Sequence, residues 1–145
     1  MLTRKLGTET RLNLSLSPNE RVDILNLVSR YNHSVDSGDA DTRADTFTED
    51  GIWDSETGGI IRGREAIREH ARTRAPHSHT WKHWTSNPII EGGGHSATIR
   101  QYMLLLGIEG PLRPKMIGTY EDTLRQEPDG WYFAYRKLIT HARSD

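Results

Sequence analysis

A chain of 145 residues has room for one domain with a real core and none for a second catalytic module. Its net charge of -1, with no basic stripe, argues against nucleic acid as a partner, because backbone binding needs clustered Lys and Arg. The absence of cysteine excludes disulfides, thiolate catalysis and Cys-ligated metal sites. No apolar run approaches the roughly 18 residues of a membrane span and no signal-peptide pattern is present, so the expectation is a cytoplasmic protein with no membrane partner.

Residues 1–16 lack a sustained period and are read as an arm; residues 17–142 are read as the domain. The first periodic stretch is helical, with Ile24, Leu25, Val28, Tyr31 and Val35 on its apolar face. Ser17, Pro18 and Glu20 suit its start and Gly38 its stop. Asp36 falls in the last turn, where a carboxylate meets the negative end of the helix dipole and costs stability unless something compensates. Taken alone, such a residue is ordinarily solvated at the turn. A short second helix is expected over 39–47, then a turn at Glu49–Gly51 and a hairpin with strands near Ile52–Asp54 and Ile60–Ile61. A third helix, REAIREHARTR, ends before Pro76, and its arginines read as a solvated face.

From His79 onward the period changes to two. Strands are expected over 79–90, about 95–108, about 115–126 and 131–140, joined by short Gly- and Pro-rich turns. Short turns between long strands imply an antiparallel meander, so the fold class is α+β: three N-terminal helices enclosing the cavity of a cone-shaped, curved antiparallel sheet. On the first of these strands His79, Trp81, His83, Thr85 and Asn87 share one face. That composition suits the wall of a partly polar pocket better than an apolar core, although a lone strand histidine is more often structural.

Several motifs then fall in order: RYNHSVDSGDADTRADTFTEDGIWD, the following GREAI, the spacing of His83 and Asn87, GTYED at Gly118–Asp122, and Asp129–Trp131 with Arg136. Together, over residues 18 to 140, they resemble the SnoaL-like branch of the nuclear-transport-factor-2-like superfamily. Within it the likeness is to the scytalone dehydratase and bile-acid 7α-dehydratase group. The resemblance implies an α+β cone and a cavity His–Asp pair that removes a proton. It places the His on His83, the Asp on Asp36, a helical Tyr on Tyr31 and a late Arg on Arg136. A second cavity histidine has no clear counterpart.

An imidazole is substantially unprotonated at pH 7 yet still basic, which suits it to a carbon acid. His83 is therefore expected as base, Asp36 as its orienter, and Tyr31 or Arg136 as donor to the leaving group. Trp53, Trp81, Asn87, Met103, Leu105 and Tyr120 are the expected substrate contacts, while Trp131 and Tyr135 are assigned to core packing. The expected activity is a cofactor-independent, metal-free lyase of dehydratase type acting on a small hydrophobic aromatic or polycyclic molecule. An isomerase or cyclase using the same base, and a non-catalytic binding protein, stay open. The resemblance also implies a homo-oligomer, dimer or trimer, formed through the outer face of the sheet.

Overall fold

The computed structural model describes residues 15–145, so nearly all of the arm read over 1–16 lies outside the described residues. Helix α1 (Pro18–Ser37) opens with a full capping box. Ser17 Oγ accepts from the Glu20 main-chain N–H at 3.1 Å, and the Glu20 carboxylate accepts from the Ser17 N–H at 3.0 Å. It stops at Gly38, whose φ of 74° is the left-handed conformation that a helix C-cap requires. Its buried face is Ile24, Leu27, Val28 and Tyr31; Leu25, expected there, is 40% exposed because the core lies slightly further round the helix.

Helix α2 (Ala40–Asp45) is capped by Asp39. Strand β1 (Phe47–Ser55) follows at once, and the turn expected at Glu49–Gly51 is instead part of it, absorbed as a register shift between Phe47 and Ile52. Strand β2 (Gly59–Arg62) completes the hairpin, and helix α3 (Arg64–Arg74) occupies the stretch read from the sequence. Its arginines are more than a solvated face. Arg68 ties α3 to α2 through Asp41 and Asp45, both at 2.9 Å, and Arg64 donates to the Phe47 carbonyl.

A 3-10 turn (Ala75–Thr80) takes the place of the expected start of the next strand, so His79 lies outside the sheet. Strands β3 (Trp81–Gly93), β4 (Ser96–Gly107), β5 (Arg113–Glu127) and β6 (Gly130–Arg143) then form the antiparallel meander. The six-stranded order is β2-β1-β6-β5-β4-β3, with β1 joining β6 in parallel, a pairing absent from the sequence reading.

Register shifts bend the sheet around the helices. One lies at Gly118, where a Cβ would stand 2.4 Å from the Ile139 carbonyl oxygen, so β5 and β6 approach more closely there than any side chain permits. The core fills the concave side, from Ile24, Leu27 and Tyr31 on α1 to Phe47, Met103, Leu124, Trp131 and Phe133 on the sheet. No described helix is long and apolar enough to cross a membrane.

Candidate active site

Helix α1 is fastened along β3 by polar side chains. Arg21 donates to the Ile90 carbonyl at 2.7 Å, Asn32 Nδ2 donates to Thr85 Oγ1 at 3.0 Å, and Asp36 meets His83 at the far end. Asp36 Oδ1 stands 2.6 Å from His83 Nδ1, and the carboxylate also accepts the His83 main-chain N–H, at 3.2 and 3.0 Å. These two donors compensate a carboxylate that the helix C-terminus disfavours. Both side chains are 11% exposed.

His83 stands in the wall of an inner cavity of about 340 Å³. Its row across the sheet continues through Leu105 and Met116, which also line the cavity. Asp36 sits behind this wall, on a second depression of about 460 Å³ that it shares with Asn32, Trp84 and His83 itself. With Nδ1 engaged by the carboxylate, the ring's Nε2 is the nitrogen available to a ligand.

Of the residues expected here, Tyr31, Trp53, Trp81, Leu105 and Tyr120 line the cavity with His83. Tyr31 is the hub of the aromatic floor: its ring lies 5.7 Å from Phe133, 6.1 Å from Phe47, 6.3 Å from Trp53 and 6.4 Å from Tyr120. Burial pushes the Tyr120 hydroxyl above the ordinary phenol range, which keeps it a proton-bearing donor.

Two expected contacts, Asn87 and Met103, and one expected donor, Arg136, lie elsewhere. Asn87 is exposed in a bulge between Ser86 and Ile89, with φ of 57°, because the strand breaks its alternation there. Met103 is fully buried in the core and does not reach the cavity. Arg136 is also fully buried, sealed below the cavity floor with its guanidinium 3.7 Å from the Tyr120 ring centroid and 4.2 Å from that of Tyr31. Its Nε lies 3.7 Å from Asp122, whose carboxyl is pushed up to about 7 by burial against the pull of that cation. Tyr135, assigned to the core, instead donates its hydroxyl to Asp54.

The cavity also holds Arg43 from α2, His70 from α3, Ser55 from β1 and Arg143 from β6, which were not singled out, and Arg74 from α3, which was read as part of a solvated face. Burial, then the neighbouring Arg43 and Arg74, hold the His70 imidazole below its usual value. Among the described residues no group of three or more His, Asp or Glu side chains could hold a metal ion. A depression of about 510 Å³ on the outer sheet face is lined by Glu91, Arg100, Glu121 and Lys137 and contains neither the dyad nor the aromatic floor; of the two depressions that His83 lines, the inner cavity is the one that carries Tyr31, Trp53 and Tyr120, so it is the candidate site.

Residues 18–137 match the model of the family described as the SnoaL-like domain. No curated protein matches the chain. Among solved structures, a variant of Rv3472, a protein of unknown function from Mycobacterium tuberculosis, is 30% identical with a TM-score of 0.77, over 84% of this chain and 72% of that one. An NTF2-like protein with a cystatin-like fold from Novosphingobium aromaticivorans is 24% identical with a TM-score of 0.80, over 96% and 90%. A candidate scytalone dehydratase from the same organism is 23% identical with a TM-score of 0.76, over 95% and 91%. The last two likenesses show a shared fold alone.

Proposed function

The chain belongs to the SnoaL-like domain family, and from that premise we propose that it is a cofactor-independent lyase of dehydratase type, with His83 as base and Asp36 as its orienter. The observation that carries the reading is the 2.6 Å contact between Asp36 and His83 Nδ1 at the wall of a cavity with an aromatic floor. In this reading His83 Nε2 removes a proton from the carbon next to a substrate carbonyl. The electron pair left behind forms the new double bond as a β-hydroxyl departs, and that hydroxyl leaves as water with a proton from a cavity donor. Tyr31 is the donor of choice, since its ring lies on the cavity and Arg136 does not. Asp36 fixes the imidazole tautomer and stabilises the imidazolium while it exists.

Acid–base assistance of this kind contributes roughly 10²- to 10⁴-fold per group. The deciding experiment is turnover of a panel of β-hydroxy carbonyl and hydroxylated diaryl compounds by wild type, His83→Ala and Asp36→Asn, with products identified by mass. Loss of water from a substrate, abolished in His83→Ala and reduced in Asp36→Asn, is the expected result. An activity that survives His83→Ala would sink the mechanism. A product of unchanged mass would make the protein an isomerase or cyclase on the same base, and saturable binding without turnover would make it a binding protein.

We place a homo-oligomer contact on the outer sheet face. Trp84, Tyr102 and Ile117 are 65%, 52% and 47% exposed there, on neighbouring strands. A Trp84→Lys variant that sediments as the same species as wild type would remove that contact.

A further inference from the structure

The cavity carries charge that the dyad does not require. Among the described residues three arginines, Arg43, Arg74 and Arg143, line it, and no carboxylate does. Arg74 and Arg143 are exposed; Arg43 is the buried one of the three. It is 7% exposed, on a six-residue helix where an apolar side chain would fill the same space. Its Nε is sealed without a hydrogen-bond partner, its terminal nitrogens are not among the sealed atoms, and the residue lines the cavity. No carboxylate among the described residues forms an ion pair with it.

Other arginines in the chain are treated differently. Arg68 is met by Asp41, Asp45 and Glu65, and Arg125 by Asp50 and Glu127. Even the sealed Arg136 has Asp122 nearby. Among the described residues the Arg43 guanidinium is met by the rings of Tyr31 and Trp53, at 5.6 and 5.8 Å to their centroids. Ring faces offset part of the cost of removing a cation from water but leave its N–H groups unpaired. A guanidinium cannot shed its proton to escape that cost, so the site is completed only when an anion arrives. Arg74 and Lys115 lie over the Trp81 ring at 5.6 and 6.0 Å, adding positive charge beside the cavity.

We propose that Arg43 anchors an anion subsite inside the cavity, and that the molecule held there is a ring-bearing apolar compound carrying a carboxylate. The planar fork of the guanidinium matches a carboxylate with two parallel hydrogen bonds, and the rings of Tyr31, Trp53 and Tyr120 take the apolar body. The proposal shares with the lyase reading the assumption that this cavity is the substrate site, but not the role of His83.

The test is calorimetric titration of the full chain with 2-naphthoate and its neutral isostere 2-naphthamide. Wild type is expected to prefer the carboxylate by at least about tenfold, the value of one charge-assisted hydrogen bond. Arg43→Met should lose that preference, Arg43→Lys should keep part of it, and His83→Ala should keep all of it. Arg43→Met should also melt no lower than wild type, since it removes an uncompensated buried charge; a purely structural arginine would give a marked fall. Equal binding of the two probes by wild type, binding of neither, or a preference that survives in Arg43→Met overturns the proposal. The two readings fail separately: a carboxylate preference without any His83-dependent turnover removes the lyase and leaves the subsite, whereas His83-dependent turnover of neutral substrates with no carboxylate preference does the reverse.

Discussion

Asp36 holds His83 by two different handles, the ring Nδ1 at 2.6 Å and the main-chain N–H at 3.0 Å to the nearer oxygen. One carboxylate therefore fixes both the imidazole and the backbone that carries it. Removing the ring leaves the second handle in place; removing the carboxylate leaves a part-buried N–H unpaired. Asp36→Ala is accordingly expected to cost about 1–3 kcal/mol of stability and His83→Ala distinctly less. Denaturant unfolding of both variants checks this, and equal costs would mean that the main-chain contact contributes nothing.

Asn87 separates a conformational role from a binding role. Its φ of 57° belongs to the left-handed region, which asparagine tolerates and β-branched residues do not. Asn87→Gly should fold and turn over as wild type does, while Asn87→Val should lose about 1–2 kcal/mol with KM for any substrate unchanged in the folded fraction. A raised KM in Asn87→Gly would restore this residue to the binding site.

The buried pair of Asp122 and Arg136 gives a pH signature. The folded value of Asp122, about 7, lies above that of an unfolded carboxyl, so the folded state binds the proton more tightly. Stability from this group is fully present below the ordinary carboxylate range and declines as pH rises to about 7, by an amount on the order of 2–4 kcal/mol. Asp122→Asn should flatten that decline in urea unfolding curves measured between pH 4 and 8. Replacing both partners, Asp122→Leu with Arg136→Met, should leave stability unchanged or raise it by about 1–4 kcal/mol.

The elements were legible because each rests on local signals, whereas the pairing of Asp36 with His83 came from the family resemblance and from no local signal. Ser17 and Gly38 frame α1, the period of two carries Trp81, His83 and Thr85, and the motif order placed Asp36 opposite His83. What escaped depends on where strands bend and how elements stack. A bulge moved Asn87 off the face that strict alternation assigned to it. The curvature of the sheet sealed Arg136 beneath Tyr31 and Tyr120. The parallel joining of β1 to β6 has no turn to announce it, and it brings Trp53 level with Arg136. Arg43 comes from a helix of six residues, too short to show a periodic face, and Arg74 from one whose arginines read as solvated, yet both line the cavity.

His70 should give the opposite pH slope to Asp122. Burial, with Arg43 and Arg74 adding repulsion, favours its neutral form in the folded protein. The folded value lies below the unfolded one, so between the two the unfolded chain binds more protons and stability rises with pH. That contribution is complete above about 6.5, the ordinary histidine value, and is lost as pH falls toward the lowered folded value. His70→Gln should therefore remove a rise with pH where Asp122→Asn removes a fall, and subtracting each variant's stability curve from that of wild type separates the two. An anion seated beside Arg43 would offset the repulsion and make the imidazolium easier to form, so 2-naphthoate should raise the His70 titration midpoint in NMR spectra while 2-naphthamide leaves it in place. A midpoint at the ordinary histidine value in the free protein would show that the ring does not face the two arginines.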